Sequence, residues 1–206
     1  MRFECKYTYY PAPCEPDDYL RAMTVDVMCF QKDTDEEVLV ARLAIDHLDL
    51  IRAEADGMDV LMVCDADSAG WESVYSSIIE PGINSTEIRH DFGFEEPVFH
   101  ILFMHKAVFH PEVRDWQRFI VDQACEMFDN HSATVMWKGD TGMTDKELAS
   151  LGFRMIAETD LLFRPNMLIS KYVPDDDRRD VFDIAVEDSA IDFVRDEWDR
   201  EDNEIE

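Results

Sequence analysis

Val98-Phe99-His100-Ile101-Leu102-Phe103-Met104-His105-Lys106-Ala107-Val108 decides the fold class. Nearly every position is apolar, as in a central strand covered on both faces; a strand with one wet face would alternate. Pro111 stops the run, because proline cannot donate to a ladder. The periodicity then changes. Over 114–129, Trp116, Phe119, Ile120, Ala124, Met127 and Phe128 fall on one stripe of an amphipathic helix. Residues 133–137 read as a short strand. Thr144 and Glu147 have the spacing of a capping box for a helix through Ser150, which Gly152 ends.

Upstream, 21–30 and 38–45 read as strands of an antiparallel hairpin across the polar turn 31–37. Asp46 is placed to cap a short helix carrying Leu48, Ile51 and Ala55, closed by Gly57. A second helix is expected after Asp65 or Asp67, with Trp71, Val74, Tyr75, Ile78 and Ile79 on one face and Pro81-Gly82 at its end. Residues 83–97 read as a loop. The first twenty residues read as irregular, broken by Pro11, Pro13 and Pro16. Downstream, 153–159 and 167–173 are expected to close the sheet as a strand pair. The sum is an α/β domain over 1–173: a mixed, mostly antiparallel sheet flanked by helices.

Residues 174–206 form an acidic C-terminal extension with fifteen acids against four Arg, a net −11. Ala190, Ile191, Phe193, Val194 and Trp198 make one apolar helical face within it. A helix that docks on the body or serves a partner is expected there, outside the sheet.

The 206 residues are 46% hydrophobic and 11% aromatic, enough to fill a core. The net charge is −28. That charge disfavours direct nucleic-acid binding and anionic membrane surfaces, and leaves cations, a basic protein surface or no particular partner. No apolar run is long enough to span a bilayer, and the N-terminal residues lack the apolar region of a signal peptide, so a cytoplasmic location is expected. Arg exceeds Lys and Asp exceeds Glu, as in salt-adapted chains, but 13 Phe, 11 Met and 5 Cys do not fit that composition. The odd cysteine count, with no pair three apart, reads as reduced thiols. His100, His105 and His110 are spaced by five, which alternates faces on a strand, so no three-histidine metal site is expected. Glu95-Glu96 and Asp175-Asp176-Asp177 read as solvated surface.

The segment ILFMHKAVFHPEVRDWQRFIVDQACEMF, followed by ELASLGFR, resembles the GCN5-related N-acetyltransferase (GNAT) superfamily. Its marks are the Val108-Phe109-His110-Pro111 turn, Arg114 three residues after that proline, and Leu151-Gly152-Phe153-Arg154. The resemblance is good over 98–173. Over 21–80 it extends only to a hairpin and two helices, and these helices fall between hairpin and central strand, which is not the usual family order. It implies a GNAT-like fold that holds acetyl-CoA. The backbone of Ala107 and Val108 would pair with pantetheine, and Arg114, Gln117, Arg118 and Phe119 would lie at the pyrophosphate. His105, on the strand that lines the splay, is the candidate base. The family's small loop residues are Asp115, Gln117 and Phe119 here, its common acid tyrosine is Leu148, and its common asparagine is Thr141. A side chain at each small position would crowd a pyrophosphate, and Asp115 would repel it. The expected function is that of a degenerate, non-catalytic GNAT-fold protein acting through protein contacts. The alternatives are an active acyl-CoA-dependent N-acyltransferase with an altered cofactor loop, and an acidic nucleic-acid mimic that decoys a basic partner.

Overall fold

The structure is a computed structural model that describes residues 1–32, 34, 36–82, 85–92, 97–128, 131–166, 181–182 and 191–204. Among the described residues eight strands form an open mixed sheet: β1 (Arg2–Tyr7), β2 (Leu20–Gln31), β3 (Glu37–Asp49), β4 (His100–Phe109), β5 (Ser132–Trp137), β6 (Arg154–Met155), β7 (Leu161–Pro165) and β8 (Val181–Phe182). The order is β1-β2-β3-β4-β5-β7-β6, with β8 beside β2. Neighbours are antiparallel except β4–β5 and β2–β8. The parallel pair β4–β5 is joined by a crossover containing α4 (Gln117–Glu126).

Alternation along the strands divides the core in two. On one face Leu48, Ile101, Phe103, Val135, Leu161 and Phe163 pack under α1 (Leu50–Asp56), α2 (Val60–Asp67) and α3 (Ala69–Ile78), where Trp71 and Val74 are fully buried. On the other, Val25, Leu43, Leu102, Met104 and Met136 meet Ile120, Val121 and Ala124 of α4 and Leu148 of α5 (Asp145–Ser150). The Thr144–Glu147 capping box forms, and Gly57 closes α1 at φ 69°, a conformation that favours glycine.

Several expectations need correction. Residues 2–7 are not irregular; they pair along β2 as the edge strand β1. Asp46 does not cap a helix. The strand runs on to Asp49, which accepts from the Arg52 amide and caps α1, so Leu48 is a strand residue. Two helices, not one, lie between Gly57 and Pro81, because Asp59 and Ser68 each cap a start. Part of the expected 114–129 helix is a 3-10 turn over Pro111–Trp116. The stripe on α4 is rotated toward Ile120, Val121, Ala124 and Cys125, leaving Met127 41% exposed. Residues 154–155 and 161–165 form the closing strands; the expected strand at 167–173 lies outside the described residues, as do Glu95-Glu96 and Asp175-Asp176-Asp177.

The extension does contribute to the sheet. Val181 and Phe182 pair in parallel with Phe30 and Gln31, and Phe182 is buried against the His110 ring. Helix α6 (Phe193–Glu204) then lies on the face that carries α1–α3, over Leu39 and Val108, with Val194 fully buried. The Lys106 ammonium donates to the Trp198 carbonyl at 2.8 Å and lies 4.3 Å from that ring's centroid, with Arg42 5.6 Å away. Trp198 therefore works as an aromatic lid over two cations. Ala190 lies outside the described residues.

Beneath α4 lies an ionic group whose central pair is fully buried. The Arg164 and Asp122 residues are both 0% exposed, with Arg164 Nη1 2.9 Å from Asp122 Oδ1 and Arg164 Nη2 2.7 Å from Glu126 Oε1. Asp122 is thus taken by Arg164 of β7.

Candidate functional site

The ladder geometry of β4 sets the site. Its pairing with β5 runs from His100↔Ser132 to Met104↔Met136 and stops, while β4 continues to Phe109. β5 itself ends one residue beyond this pair, at Trp137. At the same level the β3 register slips: Ile45 faces Met104 and Ala44 faces Lys106, which leaves His105 as a bulged residue. A bulge re-aims side chains, and here His105 and Lys106 both turn to the α1–α3 face, His105 toward Asp46 and Lys106 toward Trp198.

His105 Nε2 lies 3.4 Å from Asp46 Oδ2, and its side chain is 39% exposed. Asp46 also accepts the indole N–H of Trp71 at 3.2 Å, so a buried helix residue fixes the carboxylate that fixes the histidine. The His105 ring stands 5.7 Å from that of Phe103, which in turn packs edge-on against Trp71. Burial pulls the His105 pKa down, but the hydrogen bond and charge of Asp46, joined by Asp67 and Asp140, outweigh it and raise the pKa above the ordinary value. Asp140, on the turn after β5, is pushed up to about 6 by burial, against the Trp137 amide bond and the His105 charge, which lower it. Asp67 is also raised, mainly by burial. A cavity of about 420 Å³ opens beside this cluster, with Thr24 and Ala44 on its floor, Asp46 and His105 at one end and Lys6 at the other. The arrangement can hold and donate a proton from His105 and can attract a cation to Asp46.

The residues assigned to the cofactor lie elsewhere. Ala107 packs on the α4 side, and Val108 is covered by α6. Arg114 is exposed in the Pro111–Trp116 turn, Gln117 opens α4, and Phe119 is half-buried on it. Arg118 donates to the Ser150 hydroxyl at 2.7 Å. Within the turn, the Glu112 amide is bonded to His110 Nδ1 at 3.2 Å and that of Val113 to the His110 carbonyl, and just after it the Gln117 amide is bonded to the Arg114 carbonyl. These amides are spent within the chain. Leu148 is buried core, and the Thr141 hydroxyl accepts from the Met143 amide. The structure therefore separates His105, on one face, from Arg114, Gln117, Arg118 and Phe119, on the other.

Asp46, Asp67, Trp71 and Asp140 were not identified from sequence. Asp46 reads as a helix cap there, and nothing local ties residues 46, 71, 105 and 140 together. Among the described residues no three histidine, cysteine or carboxylate side chains are grouped to hold a metal, and no helix is long and apolar enough to cross a membrane. Comparisons with protein-family models, curated proteins and solved structures gave no match.

Proposed function

We propose that the chain is a GNAT-like scaffold that works by contact with a basic protein surface and has lost acyl-CoA transfer. The parallel β4–β5 pair, with a helix crossing between its strands, supports the GNAT-like part. The observation that carries the loss of transfer is the Pro111–Trp116 turn. The Glu112 and Val113 amides, and that of Gln117 just after the turn, are bonded inside the chain, and Asp115, Gln117 and Phe119 put side chains where a pyrophosphate would need bare backbone. The net charge of −28 supports a basic partner. Titration calorimetry with acetyl-CoA should give a dissociation constant weaker than about 100 μM; tight, stoichiometric binding overturns the reading. The immobilised chain should hold a basic protein at low salt and release it toward physiological salt.

The Asp46–His105 pair favours a second reading, an N-acyltransferase with an altered cofactor grip. With its pKa raised, His105 would serve there as proton donor to the leaving thiolate, and the neighbouring carboxylates would draw in an amine. Acyl transfer abolished by His105→Ala, in a protein that still folds, would establish it over the first.

A further inference from the structure

We propose that β1 is the seam of a twofold dimer in which β1 of a second copy pairs antiparallel with it, centred on Cys5. This goes beyond the function proposed above and does not depend on it.

β1 is the long edge of the sheet, whereas the opposite edge, β6, is only two residues. Among the described residues nothing pairs with the outer side of β1. The Thr8 amide donates inward to the Ala22 carbonyl at 3.2 Å. In an antiparallel ladder alternate residues bond to alternate sides. Arg2, Glu4 and Lys6 therefore spend their backbone groups on β2, and Phe3, Cys5 and Tyr7 turn theirs outward, a template for another strand.

The side chains say which strand fits. Opposed residues of an antiparallel pair share a face, so a twofold axis normal to the sheet must pass through a residue. An axis at Glu4 sets Glu4 against its own copy and Arg2 against Lys6, all like charges. An axis at Cys5 sets Glu4 against Lys6 twice and Phe3 against Tyr7 twice, with Cys5 facing Cys5. The Glu4–Lys6 positions are the non-hydrogen-bonded pairs, where side chains come closest. Lysine on an edge strand ordinarily repels a neighbouring strand; here Glu4, two residues away, makes the same lysine self-complementary. The side chain of Lys6 is 67% exposed while contacting Asp26 at 3.1 Å, so it can reach across the seam. Tyr7 is 64% exposed, and Tyr9 and Tyr10 beside it are also exposed, so apolar ring area lies where the second copy would seat.

The chain's charge opposes the pairing, so the dimer must strengthen as salt rises, the reverse of binding to a basic partner. A single strand seam is small, and a dissociation constant of roughly 10–100 μM is expected.

Sedimentation velocity over a concentration series of the full chain tests this, at about 20 mM and about 150 mM salt. The parent should dimerise, more tightly at the higher salt. Glu4→Lys should weaken the dimer roughly tenfold, since the twofold axis counts each change twice. Adding Lys6→Glu should restore it, while the new lysine at position 4 lies opposite Asp26 and keeps that carboxylate paired. Tyr7→Ala, at an exposed site, should weaken the dimer without changing the melting temperature. In a Cys14→Ser background a short bismaleimide should link Cys5 to Cys5. A parent that stays monomeric at about 500 μM in physiological salt overturns the proposal. So does a dimer whose affinity ignores Glu4→Lys, or one in which Cys5 is not linked.

Discussion

Replacing Arg164 by Met should cost about 3–5 kcal/mol, because it strands a charge inside the protein. Asp122 is fully buried, and its close ionic contact is Arg164 Nη1 at 2.9 Å. Without the guanidinium its carboxylate has neither water nor a cation. At about 2–4 °C per kcal/mol for a chain of this length, the melting temperature should fall by roughly 10 °C. Removing both charges in Asp122→Leu/Arg164→Met should return stability to within about 1 kcal/mol of the parent, since neither desolvation cost remains. Glu126, at the partly exposed end of the triad, can rehydrate, so Glu126→Gln should cost less than about 1 kcal/mol. Urea unfolding followed by circular dichroism at neutral pH measures all four proteins. A loss below about 1 kcal/mol for Arg164→Met, or a double variant as unstable as the single, would refute the stranded-charge account.

Acid should weaken the fold through His47, whose pKa is held down at about 4 by burial, with the His100 and Arg21 charges adding and Asp49 opposing. Between pH 6.5 and 4 the unfolded chain binds the proton more readily. Stability is therefore full above about 6.5 and falls by about 3 kcal/mol toward 4, and His47→Gln should flatten that slope in pH-dependent melts. On α4, Ile120→Ala should cost about 2–5 kcal/mol, whereas Met127→Ala should fall within about 0.5 kcal/mol of the parent; equal losses in urea titrations would mean the buried face is misplaced. Trp198→Ala removes the ring above Lys106 and Arg42, and hydrogen exchange of α6 should speed up roughly tenfold with β2 and β3 unchanged.

Where signals are local, the sequence was legible. The apolar run at 98–108, the Thr144–Glu147 box and Gly57 each state their structure within a few residues, and the structure agrees. β1 was missed because three prolines dominate the reading of 1–20 and its register comes wholly from β2. The helix at 60–67 was missed because its apolar residues follow no sharp stripe, so Asp59 was the sole mark of its start. Residues 181–182 escaped notice in an acidic segment, since two residues make a strand only when another strand offers its edge. Of the candidate site, His105 was legible from its place on the central strand. Its partners were not: Asp46 reaches it through pairing of β3 with β4, Trp71 through packing of α3, and Asp140 through the turn after β5.

The clasp of Lys106 on Trp198 joins residues 92 apart in the chain. During synthesis the sheet through β7 can form while α6 is still unmade, so Leu39 and Val108 spend that interval uncovered. The last helix is then a late-closing element over a preformed floor, and its loop must be closed after the main ladders already hold. Slowing the addition of residues beyond 165 should lengthen the life of a nearly complete, sticky intermediate, one that a chaperone could recognise by its bare β3–β4 face.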